Sequence, residues 1–528
     1  MHIDYQSLRF EYRRSPDQSA RSRAHHPVIV VGAGPVGLAT AIDLAQHGQR
    51  VLLLDDDHAL SNGSRAICFA KRTLEIFDRL GCGDPMVEKG VTWNRGRVFH
   101  GEDPVYSFDL LPEGGHRRPA FINLQQYYVE GFLLDRAREM PDIELRWHNK
   151  VTAVTPLNDA VELTVETPEG AYHLLADYLV AADGARSPIR RAMGLESKGR
   201  SFRDRFLIAD VRMTADFPAE RWFWFDPPFH PNQSVLLHSQ PDNIWRIDFQ
   251  LGWDADPVAE KAPERVIPRV QALLGKDTDF TLEWVSIYTF SCLRMERFRH
   301  GRVLFAGDAA HGVSPFGARG ANSGIQDAEN LAWKLALVLR GEAPDALLDS
   351  YDAERVAAAD ENILNSTRST DFITPKNESS RAFRDAVLDL ARDCPFARRL
   401  VNSGRLSLPS TYASSPLNTP DTDAFDSPMI PGAPALDAPV ADGWLLDRLT
   451  GGFTLLHFGE TKPAMDGLRV VTITAEDDRD GIAARRYDAR PGTTFLLRPD
   501  QHIAARWRHF DAEAVQSALN RATGHAPC

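Results

Sequence analysis

The stretch Val28-Ile29-Val30-Val31-Gly32-Ala33-Gly34-Pro35-Val36-Gly37 decides how this chain folds. Its β-branched run reads as a buried strand. Gly32 permits a tight turn, Gly34 lets the backbone approach a pyrophosphate, and Gly37 lets the next helix pack on the sheet. That helix, over residues 38–46, aims its dipole and unpaired amides at the phosphates. A second strand over 50–54 ends in Asp55, roughly 20 residues on, where a carboxylate binds the ribose hydroxyls of an adenosine. Strand, loop, helix and acid at this spacing predict a dinucleotide-binding unit, with Asp56 and Asp57 as solvated loop charges.

Two later glycine–acid pairs sharpen the reading. Tyr178-Leu179-Val180-Ala181-Ala182 runs into Asp183-Gly184 and then Ala185-Arg186-Ser187-Pro188. Val303-Leu304-Phe305-Ala306 runs into Gly307-Asp308-Ala309-Ala310-His311, followed by Pro315-Phe316-Gly317 and Gly320-Ala321-Asn322. The first motif builds a dinucleotide phosphate site and the last the floor of a flavin site, so the cofactor is FAD. At these residues the chain resembles the class A, single-component FAD-dependent aromatic hydroxylases. From Tyr288-Thr289-Phe290 through Arg302-Val303 it is similar to the 3-(3-hydroxyphenyl)propionate hydroxylase branch. The resemblance covers residues 27–360 through specific motifs and the remainder more loosely.

That resemblance implies an α/β fold: a Rossmann-like FAD-binding domain, an inserted mixed β-sheet substrate domain and a C-terminal thioredoxin-like domain. It places Asp183 near the FAD pyrophosphate and links it to nicotinamide binding, and it gives the ribitol chain to Asp308. Arg65, in Ser64-Arg65-Ala66, matches an arginine that touches the FAD. Gln126, four residues before Glu130, matches a glutamine reaching the ribitol or phosphate, although Gln125 leaves the register open. The amides of Gly320, Ala321 and Asn322 face the flavin N1–C2=O edge, where they stabilise reduced flavin. Pro315 and Phe316 shape the loop facing the ring, with core packing the alternative for Phe316.

The implied chemistry is a monooxygenation. NADH or NADPH delivers a hydride to the flavin, reduced flavin traps O2 as the C4a-hydroperoxide, and hydroxyl transfer follows to a small phenolic substrate. A base must then reach the phenol. Residues Ile244–Leu251 alternate, with Trp245, Ile247, Phe249 and Leu251 apolar and Arg246, Asp248 and Gln250 opposite. Asp248 is the first candidate base, with Arg246 as its charge partner or a flavin contact, and His238 and Tyr288 as alternatives. Arg246 and Asp248 could equally pair with each other, and His311 reads as a structural or flavin-loop histidine. Trp222, Trp224, Phe225 and Phe229 line a hydrophobic pocket or pack within a sheet.

The chain divides into an N-terminal surface arm (1–26), an FAD-binding domain (27–200 plus 295–360), a substrate-binding β-sheet insert (201–294), a helical and linker segment (361–430) and the thioredoxin-like tail (431–528). The helix after Asn322, with Leu331, Trp333, Leu335 and Leu339, reads as amphipathic and structural. The tail lacks a Cys-x-x-Cys, so it serves assembly, as in a homodimer, or caps the fold. A length of 528 residues suits two or three domains. A net charge of −13 argues against nucleic acid and anionic membranes. Five cysteines without paired spacing fit a reducing cytoplasm, and neither they nor the 17 histidines fall at metal-ligand spacing. Residues 1–26 lack the apolar core of a secretory signal, and no run approaches the roughly 20 apolar residues of a membrane helix.

Two rivals stand beside this reading. Trp222-Phe223-Trp224-Phe225-Asp226-Pro227 nearly spells a flavin-dependent halogenase signature, but Asp226 falls where an apolar residue belongs and would repel a halide. A non-catalytic flavin-binding scaffold is the other, and no residue specifically favours it.

Overall fold

The computed structural model describes residues 5–20, 22–61, 65–215, 217–401 and 408–525. Ala24–Val31 is the middle of a sheet ordered Arg299–His300, Val303–Phe305, Gly170–Ala181, Ala24–Val31, Val51–Leu54 and Ile143–Arg146. Neighbours from Val303–Phe305 to Ile143–Arg146 run parallel, while Val161–Thr167 and Lys150–Pro156 extend Gly170–Ala181 antiparallel. Val28 to Val31 are buried in the main apolar core, as central strands of a parallel sheet are. Pro35–Gln46 packs against Gly320–Leu339 and Gln126–Arg138. All three glycine–acid motifs therefore leave this sheet at the carboxyl ends of adjacent strands, where open α/β sheets bind ligands.

A second sheet is ordered His311–Gly312, Thr281–Met295, Ser197–Arg212, Ile244–Leu251, Ser234–Ser239, Arg221–Phe225, Arg95–His100 and Asp103–Asp109. One face, with Leu207, Leu237, Ile247 and Phe249, is sealed by Val266 and Val270 of the helix Pro263–Leu274. The other face carries Arg246 and Asp248, so the alternation read from sequence holds. Trp222, Trp224 and Phe229 join the sealed face rather than a substrate pocket, and Phe225 joins a separate apolar cluster. Asp226 turns the chain with φ +50° after the strand, so the halogenase-like run is sheet packing.

Two boundaries differ from the sequence reading. The hairpin over residues 95–109, assigned to the first domain, completes the second sheet through parallel pairing of Arg95–His100 with Arg221–Phe225. The helix Asp349–Ile373 crosses the boundary set at residue 360 without a break. The N-terminal surface arm is anchored: Tyr5 and Phe10 are buried, Tyr5 donates to Asp135 (2.6 Å), and Phe10 stacks on Trp147. Helix Gly320–Leu339 is also not amphipathic in place, being buried nearly all round from Asn322 to Ala336. The tail forms a four-stranded mixed sheet, ordered Arg469–Ile473, Thr454–Phe458, Thr494–Leu497 and Ile503–Trp507, with Ile482–Tyr487 and Ala512–Ala522 as its helices.

Candidate active site

The phosphate loop is set by steric limits. Gly32 has φ +104°, and a Cβ there would lie 2.4 Å from the Ala182 oxygen. A Cβ on Gly37 would lie 1.8 Å from the Gly32 oxygen. Gly34 differs: no atom lies within 4 Å of a Cβ built there, and it precedes the first turn of Pro35–Gln46. Space of this kind beside free helix amides is what a pyrophosphate occupies. Asp55 accepts the Ala33 amide (2.5 Å) and the Asp57 amide (2.8 Å), fixing the loop itself. Burial pushes its pKa up to about 6, against those two amides. A carboxylate has lone pairs to spare beyond two amides, so a ribose contact stays open to it.

The floor is locked to that loop and to the second sheet. Gly307 has φ +61°, and its amide donates to Asp327 (2.9 Å), which also accepts from His311 (2.7 Å). His311 and Gly312 pair with Arg294 and Leu293, so the floor is an edge strand of the substrate sheet. Asp308 is exposed, yet desolvation by the surrounding protein raises its pKa, with His311 and Arg65 pulling it back. Tyr288 is 37% exposed, and desolvation and then the nearby Asp308 raise its pKa. Pro315 is exposed, while Phe316 is buried against Phe206 and Phe290, which decides for core packing.

Other expected cofactor residues are partly committed elsewhere. The Asn322 side chain accepts from the Ala70 amide (2.8 Å) and donates to the Cys68 oxygen (2.9 Å), so only its backbone is left for a ligand. Gln126 accepts from the Ala66 amide (3.1 Å) and donates to Glu130 (2.8 Å), shaping the segment that carries Arg65. Asp183 accepts the Ile189 amide (3.0 Å) at the start of Pro188–Ala192, with its second oxygen buried and without a partner among the described residues. Arg65 is exposed, and Ser64 lies outside the described residues.

On the open face of the second sheet, Arg246 does not pair with Asp248. Asp210 lies directly opposite Arg246 across the strands and takes two of its three guanidinium nitrogens at 2.8 Å, with Gln240 also donating to Asp210. The remaining Arg246 nitrogen donates to the Arg65 backbone oxygen (3.3 Å). Asp248 instead faces His238 at 3.6 Å. Burial, then Arg221, pushes the His238 pKa down to about 4, against Asp248. His238 Nδ1 and Asp248 Oδ1 are buried and unpartnered among the described residues. Asn123, which accepts from Cys68 and Trp93, donates to the Ser239 oxygen and so ties the three-stranded sheet of Cys68–Ala70, Phe121–Asn123 and Val91–Trp93 to the strand Ser234–Ser239.

Comparison with known proteins agrees with this geometry. A family profile described as an FAD binding domain matches residues 25–366. The chain belongs to the FAD-dependent aromatic hydroxylases. It is 31% identical over 497 residues to a flavin-dependent monooxygenase of Mycobacteroides abscessus, covering 90% of this chain and 96% of that one. It is 30% identical over 533 residues to a 3-(3-hydroxy-phenyl)propionate/3-hydroxycinnamic acid hydroxylase of Mycobacterium sp. strain JLS, covering 93% and 91%. The crystal structure of the flavin-dependent monooxygenase PieE in complex with FAD and substrate shares the fold, with a TM-score of 0.80 and 22% identity over 95% of this chain and 99% of that one.

The hydroxylase's residues fit FAD: Gly34 leaves the cradle a Cβ would fill, and the Asp308 carboxyl is left exposed beside the Gly307 turn. Among the described residues, no helix is long and apolar enough to cross a membrane. The sequence reading missed Asp210, although an acid inside the run Leu207-Ile208-Ala209-Asp210-Val211 was a usable signal. It also missed Asp327, Arg355 and Asn123, whose neighbours in sequence give no hint of their partners.

Proposed function

We propose that this hydroxylase uses NADH or NADPH and O2 to hydroxylate a phenolic compound, with Asp248 as the group that takes the phenol's proton and His238 as its orienting partner. The observation that carries this reading is the His238–Asp248 pair, which keeps two buried polar atoms unpartnered among the described residues on the sheet face that continues into the flavin floor. Such atoms cost free energy unless a ligand completes them. His238 stays neutral at pH 7, so it can hydrogen-bond Asp248 or the substrate without adding charge. Bound flavin supplies hydride acceptance from the nicotinamide and oxygen transfer to the ring. The chain supplies position: Tyr288 and Asp308 border the cofactor side, and the neutralised Arg246–Asp210 pair holds the segment carrying Arg65.

The test is NAD(P)H oxidation and oxygen uptake by FAD-loaded protein across a panel of phenols, with products followed by mass spectrometry. A compound that stimulates oxidation and gains one oxygen atom supports the reading and names the substrate. Chloride-dependent halogenated product, or no stimulation by any phenol that binds, would overturn it.

A further inference from the structure

We propose that the C-terminal unit holds the flavin floor in shape, with Arg355 and Tyr412 as the positioning residues that transmit its grip. The proposal rests on the floor being an FAD site, and its test separates the two. Asp327, beneath the floor, gives one oxygen to the Gly307 amide and His311. Its other oxygen takes Arg355 Nε at 2.5 Å. A second Arg355 nitrogen donates to the Ser323 backbone oxygen (3.0 Å) and hydroxyl (2.9 Å), one residue past Asn322. A single planar guanidinium therefore fixes both flavin-facing parts of the floor, the Gly307–His311 loop and the start of Gly320–Leu339.

The last Arg355 nitrogen donates to the Tyr412 hydroxyl (2.7 Å). Tyr412 lies in the linker segment that leads into the tail and is bonded to it. Its ring stacks on His502 with centroids 4.6 Å apart, its amide donates to the Gly432 oxygen, and the Gly432 amide donates to Ile503. Asp327, Arg355 and Tyr412 are all buried, so each link is made in a medium where a lost partner is not replaced by water. Against the cost of burial, His311 and Arg355 hold the Asp327 carboxyl below its ordinary pKa, which keeps it an acceptor for the Gly307 amide.

The neighbouring Ser415 supplies the contrast. It belongs to the same segment and donates to Glu354 at 2.5 Å, but Glu354 leads to Lys334 and Arg498 rather than to the floor. The experiment uses full-length apoprotein, titrated with FAD by flavin fluorescence, alongside thermal melting and the visible spectrum of bound flavin. Tyr412→Phe keeps the stacked ring and removes the hydroxyl. It is expected to weaken FAD binding about tenfold, the scale of one hydrogen bond to a charged group, and to shift the flavin bands. Arg355→Lys should do at least as much, while Ser415→Ala should lower the melting temperature and leave FAD affinity unchanged. A Tyr412→Phe protein with wild-type affinity and spectrum would overturn the proposal, as would equal losses in Tyr412→Phe and Ser415→Ala. Failure of the wild type to bind FAD would instead overturn the flavin reading itself.

Discussion

Val36 seats its side chain on Gly307: a Cβ on that glycine would lie 2.9 Å from Val36 Cγ2, and one on Gly324 only 2.6 Å from it. One residue of the phosphate loop thus fills the space left by two glycines of the floor. The two halves of the cofactor site, far apart in sequence, are registered by direct packing rather than by the cofactor alone.

The glycines of the phosphate loop should separate by role. Gly37→Ala forces a methyl group into the Gly32 carbonyl and should abolish soluble, folded protein. Gly34→Ala meets no protein atom, so apoprotein stability should stay within about 0.5 kcal/mol of wild type while FAD affinity falls at least tenfold. Denaturation of the apoprotein together with FAD titration checks both.

Asp248→Asn should lower kcat for substrate-dependent NAD(P)H oxidation about a hundredfold, the usual scale for a lost general base. FAD affinity should not change, because Asp248 faces His238 and not the phosphate loop. Stopped-flow reduction and FAD titration of the same preparation distinguish this from a general loss of structure.

His238 makes a pH prediction with a definite sign. Its folded pKa, about 4, lies below the ordinary 6.5, so between those values the unfolded chain binds the extra proton. Its contribution is therefore complete above pH 6.5 and lost as pH falls toward 4, up to roughly 3 kcal/mol. The stability difference between wild type and His238→Gln, measured by urea titration at several pH values, should shrink over that window. A difference that does not vary with pH sinks the claim.

Arg498→Met should cost about 3–5 kcal/mol, because the lost guanidinium leaves buried carboxylates behind. Arg498 donates to both oxygens of Glu354 (2.6 and 3.0 Å) and to Asp500 (3.0 Å). Adding Glu354→Gln should recover part of that loss, read as a rise in the denaturation midpoint.

Gly131 gives a test whose sign reverses with its partner. A Cβ there would lie 2.4 Å from the Tyr5 ring, so Gly131→Ala should destabilise the wild type by about 1–3 kcal/mol. In a Tyr5→Ala background the same change removes backbone freedom in a helix interior and should stabilise by about 0.4–1 kcal/mol.

What could be read from the sequence is what neighbours in the chain declare. The run Val28 to Val31, its glycines and Asp55 lie within one βαβ unit, and Ile244–Leu251 states its two faces by alternation. Partners set by folding were not legible. Asp210 stands 36 residues from Arg246, and Arg355 stands 28 from Asp327. An alternating strand shows which face is polar, but not which acid the next strand will bring against it. The pairing of the 95–109 hairpin with Arg221–Phe225 and the burial of Tyr5 depend likewise on surfaces that exist only once other elements are in place.

The Arg498–Glu354 pair also orders events during synthesis. Glu354 leaves the ribosome 144 residues ahead of the arginine that neutralises it. Until then the cation that pairs with it is Lys334, already in its own helix. The nascent chain can pair the strands of its first sheet, yet the helix behind the cofactor floor stays short of its counter-charge until the tail has been made. A chain broken off before residue 498 would carry every recognisable flavin motif and still leave Glu354 buried without the guanidinium that takes both of its oxygens.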